Sequence, residues 1–202
     1  DLSELGAIVE EIELDWEQSI INSTISSHIR FGAGVQAKQI VAESGVSFDK
    51  LTSYVQHFIS KETTTVEEEL QNNRNADDLF IELNSKVYSK GFDALICPTL
   101  ATVNITADYD PFAKNANLEI SDNAEKDFLA PMMTVPFNIL GRMPIVNIPV
   151  GKAANNIPIG MQIVGPNYED IVPFRIASAY QATKPNFFET LPEIPSLAEQ
   201  KK

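Results

Sequence analysis

Gly91-Phe92-Asp93-Ala94-Leu95-Ile96-Cys97-Pro98-Thr99 is the stretch on which the fold turns. It is a short, nearly continuous apolar run closed by proline, the pattern of a strand covered on both faces. Such strands sit in sheets flanked by helices. Just before it, residues 66–90 carry the clearest helical pattern in the chain. Thr65 and Glu68 have the spacing of a capping box, in which a hydroxyl and a carboxylate each satisfy an otherwise unpaired N–H. Leu79, Phe80, Leu83 and Val87 form an apolar stripe, and Gly91 supplies the stop. A long helix feeding a covered strand predicts an α/β fold, a partial mixed sheet flanked by helices.

Toward the C-terminus, Ile145–Gly151 and Ile157–Gly165 are two further strand-like runs. The polar turn Lys152–Asn156 separates them, which predicts antiparallel neighbours. Glu169 and Asp170 then open a helix to about Ala182, with Pro173 tolerable in the first turn and Ile176, Ala177 and Tyr180 facing inward. Residues 100–127 are polar and weakly periodic, as in a long loop, with Asp108, Asp110, Asn115, Asn117, Asp122 and Asn123 as its oxygen ligands. Their spacing matches no EF-hand loop. Toward the N-terminus, residues 6–14 alternate imperfectly like a strand. Trp16 to Ser60 turns helical, with Trp16, Ile20, Ile21, Ile25 and Ile29 on one apolar face and short helices over 35–42 and 51–59. The organisation expected is one domain over 1–202: helix-rich 16–90, a strand and loop core 91–183, and an irregular tail 184–202.

Composition narrows the function classes. A net charge of −13 opposes nucleic-acid binding, which needs a basic footprint. The acidic side chains read as solvated faces. Apolar runs are too short to span a membrane, and no secretion signal is visible, so the cytoplasm is the default compartment. A lone cysteine, Cys97, cannot form an internal disulfide and reads as a small buried hydrophobe. No H-E-x-x-H motif, Cys cluster or G-x-S-x-G elbow is present, and no cofactor or metal is expected. Ser53 and His57 stand one helical turn apart, a spacing any helix offers, which argues little for a dyad.

Three segments in order resemble the amidase-signature family: Gly91 to Thr99, Thr134-Val135-Pro136-Phe137-Asn138-Ile139-Leu140-Gly141-Arg142-Met143-Pro144, and Pro158-Ile159-Gly160-Met161-Gln162-Ile163-Val164-Gly165. A helix with Ala177 and Tyr180 follows. Gly160 and Gly165 fit close backbone approaches. Gln162, polar within an apolar strand, requires hydrogen-bond partners, and tying strand to loop is a better account of it than a substrate contact.

The resemblance implies a carboxylic amide hydrolase that works through a serine nucleophile, a second serine and a lysine, with a glycine- and serine-rich stretch supplying the oxyanion donors. None of those parts matches here. The chain has no Gly-Gly pair, and its one Ser-Ser pair, Ser26-Ser27, falls in a helical segment. No catalytic residue is therefore assigned, and the chain is expected to be inactive alone, as a C-terminal portion whose loops line the acyl side of the pocket. The substrate-binding candidates are Thr99, Met132, Met133, Thr134, Phe137 and Asn138, with a core role equally open for Met133 and Phe137. The expected partners are a small-molecule amide, the N-terminal portion of the fold, and further copies of the chain, since open strand edges favour a homo-oligomer. Two alternatives are a non-enzymatic assembly module and a fragment of a glutamyl-tRNA amidotransferase A-type subunit. Such subunits carry an acidic residue three positions before T-V-P, where this chain has Pro131, and the difference favours a general amidase.

Overall fold

The computed structural model describes residues 2–112, 129 and 131–183. Asn115, Asn117, Asp122 and Asn123 of the expected loop, and the tail from Lys184, lie outside the described residues. The elements run α1 (Gln18–Ile29), α2 (Val35–Ser44), α3 (Ser53–Ser60), α4 (Val66–Lys86), β1 (Leu95–Pro98), α5 (Val135–Leu140), β2 (Ile145–Lys152), β3 (Pro158–Val164) and α6 (Ile171–Ala182). The class is α/β. The sheet has the order β1-β3-β2 and is antiparallel at both pairings. The antiparallel sense follows from the tight 152–156 turn between β2 and β3, and from the return of β3 alongside β1.

The long helix forms as its sequence dictates. Thr65 Oγ1 accepts from Glu68 N at 3.1 Å while Glu68 Oε2 accepts from Thr65 N at 2.8 Å, closing the capping box. The helix ends at Lys86, and a 3₁₀ turn over Tyr88–Lys90 leads to Gly91 at φ 91°, a left-handed position that suits glycine. Leu79, Leu83 and Val87 are buried with Ile21, Val135, Phe137, Leu140 and Val164 in the larger core. Leu83 is 0% exposed, a burial that stabilises by about 2 kcal/mol. The smaller core lies on the opposite sheet face, where Ile148 and Ile163 meet Ala177 and Tyr180 of α6. Leu95 and Cys97 lean on the first core, Ala94 and Ile96 on the second, so both faces of β1 are covered as expected.

Two expectations change. Residues 7–17 form no strand; their backbone makes no ladder with any described element. The alternation is nonetheless real, because Ile12, Leu14 and Trp16 pack against the first core while Glu11, Glu13, Asp15 and Glu17 stay exposed. A strand needs a neighbour as well as a pattern. In α1 the buried face is Ile21, Thr24 and Ser27, whereas Ile20 is exposed. The hydroxyls belong inside because each has a partner. Thr24 Oγ1 accepts from Asn75 at 2.8 Å, and Ser27 Oγ donates to Thr64 Oγ1 at 3.1 Å.

Candidate substrate-binding wall

The wall begins at Gln162 in the central strand. It sits in register with Cys97 on one side and Asn147 on the other. Its side chain is 2% exposed. Its amide nitrogen donates to the Pro98 carbonyl at 2.9 Å and the Met133 carbonyl at 3.2 Å, with Cys97 Sγ at 3.5 Å. Strand and loop are thus tied together, as the sequence suggested. The loop continues the strand's pairing: Met133 N donates to Thr99 O at 3.2 Å, Ala101 N to Pro131 O at 2.9 Å, and Leu100 bridges Met132.

Two residues back along β3, Gly160 lies beneath the side chains of Thr99 and Asn147. Thr99 Oγ1 donates to Asn147 Oδ1 at 2.5 Å across its face. A Cβ on Gly160 would stand 2.5 Å from Thr99 Oγ1 and 3.1 Å from Asn147 Oδ1, so only glycine fits. Gly165 is equally constrained, since its Cβ would meet Pro173 Cδ at 2.8 Å. Thr99, Asn147 and Gly160 floor an open cleft of about 410 Å³, with Leu100, Val103, Ile105, Ile157 and Ile159 among its apolar lining. A mostly apolar concavity with a few placed polar groups is the ordinary make-up of a small-molecule site.

The sequence candidates therefore separate. Thr99 lines the cleft. Met132 and Met133 are exposed beside it, held to Thr99 and Leu100 by the backbone pairing. Thr134 is half-buried at the start of α5, and Asn138 is exposed one turn on. Phe137 is 5% exposed in the main core, where its ring meets Trp16 edge-on at 5.8 Å, and it does not reach the cleft. Asn147 was missed by sequence reasoning. Its signal was available, as the one polar residue in the apolar run Ile145-Val146-Asn147-Ile148.

The other chemically suggestive groups are occupied structurally. The Ser27 hydroxyl of the Ser26-Ser27 pair is buried against Thr64. Ser53 Oγ donates to Asp110 Oδ1 at 2.7 Å, and the His57 ring stacks on Phe112 with centroids 4.2 Å apart. Burial, with Lys61 nearby, holds the His57 pKa below its usual value. Burial pushes the Cys97 thiol up to about 11, against an opposing contribution from Gln162. Among the described residues no group of three or more His, Cys, Asp or Glu is placed to hold a metal, and no helix is long and apolar enough to cross a membrane.

The amidase family model matches residues 1–171, and the chain belongs to that family. Over 108 residues it is 32% identical to the A subunit of glutamyl-tRNA(Gln) amidotransferase from Streptococcus equi subsp. zooepidemicus, covering 52% of this chain and 19% of that protein. Over 97 residues it is 34% identical to the corresponding subunit of Brevibacillus brevis, covering 45% and 19%. The fold superposes on 6-aminohexanoate cyclic dimer hydrolase complexed with substrate at a TM-score of 0.69 and 20% identity. That match covers 91% of this chain and 39% of the hydrolase. A crystal structure of an amidase gives 0.69 and 21% over the same shares. The chain thus spans under a fifth of those sequence relatives and about two fifths of those solved structures.

Proposed function

We propose that this chain forms the substrate-facing wall of a carboxylic amide hydrolase whose nucleophile and base come from outside these 202 residues. The observation that carries the reading is the Gln162 tie. It fixes the Thr99 end of β1 to the Met132–Met133 loop and sets a hydroxyl and an amide beside an apolar cleft. Such a wall orients an amide; it does not cleave one. Cleavage needs an activated nucleophile and donors aimed at the developing oxyanion. In the cleft, Leu100, Ile157 and Ile159 suit the apolar part of a substrate, while Thr99 and Asn147 can hydrogen-bond its polar end. The cytoplasm is the compartment this reading assigns.

Two measurements test it. Purified chain incubated with small aliphatic amides should release no ammonia, and serine-dependent release by the chain alone would sink the proposal. Titration with hexanamide should move the NMR signals of Thr99, Asn147 and the Met132 and Met133 methyls. Shifts confined to other residues would remove the wall. The isolated chain is also expected to self-associate through its open edges, and a clean monomer in sedimentation would count against that part.

A second reading, part of a glutamyl-tRNA amidotransferase A-type subunit, is favoured by the names of the two sequence relatives. Pro131 weighs against it. That side chain is fully buried and offers no carboxylate where those subunits carry an acid. Co-purification of the chain with other amidotransferase subunits would reverse the preference.

A further inference from the structure

The loop after β1 supplies Leu100, Thr102, Val103 and Ile105 to the cleft, yet hydrogen bonds fasten only its ends. Among the described residues, the hydrogen bonds of residues 102–109 are local. Asn104 N donates to Thr102 Oγ1 at 3.1 Å, and Tyr109 N to Thr106 O at 3.1 Å. A segment bonded only to itself takes its place from the points where it is fastened. At the near end, Met133 N donates to Thr99 O and Ala101 N to Pro131 O.

The far end is fastened to α3, a helix that lines no part of the cleft. Thr52 is the N-cap of α3 and accepts from Val55 N, which leaves the Ser53 hydroxyl for another partner. That partner is Asp110. Its Oδ1 accepts from Ser53 Oγ at 2.7 Å and from Phe112 N at 2.9 Å, so one charged acceptor holds both the helix and its own loop. Two residues on, the Phe112 ring stacks on His57 at 4.2 Å between centroids, with Tyr54 at 5.9 Å and Phe58 at 6.3 Å. Tyr54, His57 and Phe58 stand at i, i+3 and i+4 on one helix face, the spacing that lets three side chains meet a fourth. The helix is itself pinned: the Gln56 amide donates to Phe48 O at 3.0 Å and Leu51 O at 2.9 Å, and Phe58 is buried. Ser53 and His57, whose spacing argues little for a dyad, thus meet on a single loop end.

We propose that Ser53 and the Tyr54, His57 and Phe58 rings are positioning residues for the cleft. By fixing Asp110 and Phe112 they hold residues 100–109 as a preformed wall for the apolar part of a substrate. Their contribution is preorganisation. With the far end loose, Leu100, Val103 and Ile105 must be ordered at the moment of binding, and that ordering lowers affinity. The inference rests on the reading of this cleft as a substrate wall.

The test uses the full 202-residue chain and hexanamide. In the parent, titration should move the methyl signals of Leu100, Val103 and Ile105 together with the signals of Thr99 and Asn147. Ser53→Ala is expected to weaken hexanamide binding about tenfold and to lower the backbone order parameters of residues 102–109. Ser53→Thr, which keeps the hydroxyl, should restore both. Phe112→Leu should act like Ser53→Ala, and it takes that variant's place if circular dichroism shows Ser53→Ala to be unfolded. Thr65→Ala separates positioning from stability: it should lower the urea midpoint and leave hexanamide affinity unchanged. Parent-like affinity and order in both Ser53→Ala and Phe112→Leu overturns the inference. So does a loss of affinity in Ser53→Ala no larger than in Thr65→Ala. A parent titration that shifts Thr99 and Asn147 without the three loop methyls overturns it and keeps the wall. A cleft that gives no response anywhere in the parent defeats the wall reading, and the inference with it.

Discussion

The Gln162 side-chain amide donates to the Met133 carbonyl, 3.2 Å away and 29 positions distant in sequence, from a residue that is 2% exposed. With the Pro98 carbonyl as its second acceptor, one buried amide fixes the spacing between the sheet and the loop that carries the candidate methionines. Replacing it with Leu keeps the volume and leaves two carbonyls without that donor. The expected loss is about 2 kcal/mol by urea denaturation. Hydrogen exchange should also quicken at residues 131–134, and an unchanged urea midpoint would show that the tie carries no stability.

Gly160→Ala is expected to destabilise by roughly 1–3 kcal/mol, because its Cβ would overlap the Thr99 hydroxyl. The repair is specific. Thr99→Ala removes the oxygen at 2.5 Å and should recover part of the loss, although the Thr99 Cβ at 3.1 Å remains. A double-mutant cycle reads the coupling directly, and strictly additive effects would show that the crowding lies elsewhere.

Neither Thr65 nor Glu68 of the capping box lines the cleft, so its effect should fall on stability alone. Thr65→Ala is expected to cost about 1 kcal/mol by thermal or urea unfolding. Because each side chain serves the other's backbone N–H, Thr65→Ala and Glu68→Ala should be less than additive. Hexanamide-induced shifts at Thr99 should be unchanged, and any loss of them would tie the helix start to the site.

Cys97 sets a pH dependence whose sign is fixed. Its thiol titrates near 9 when exposed and near 11 in the fold. Between those values the unfolded chain loses its proton first, so stability conferred by the buried thiol is full below pH 9 and declines toward pH 11. Burial raises the Tyr88 hydroxyl as well, which acts in the same direction. Urea midpoints of Cys97→Ala should therefore fall less steeply above pH 9 than those of the parent, and still less when Tyr88→Phe is added. At about pH 8 the native thiol should react with iodoacetamide much more slowly than the unfolded one. Equal rates would mean that Cys97 is not shielded.

Much of the fold was legible because its signals are local. The capping box, the stop at Gly91, the run from Leu95 to Pro98 and the turn between β2 and β3 each depend on neighbours within a few residues. The buried face of α1 was not. Apolarity pointed to Ile20 as well as Ile21, but Thr24 and Ser27 join Ile21 inside, since Asn75 and Thr64 satisfy their hydroxyls from distant parts of the chain. The candidate site divides in the same way. Thr99 was readable at the strand end, whereas Phe137 has the composition of a pocket residue and the location of a core one.

From sequence alone came the α/β class, the family resemblance, and the lack of a matching serine- and glycine-rich stretch, all properties of residue types in order. Tertiary structure alone decided that Gln162 reaches both Pro98 and Met133, that Asn147 meets Thr99 over Gly160, and that residues 8–13 find no backbone partner among the described residues. The reason is physical. A residue's propensity to be buried or extended is carried by its own side chain and near neighbours. The partner that satisfies its hydrogen bonds is supplied by whatever the folded chain brings alongside.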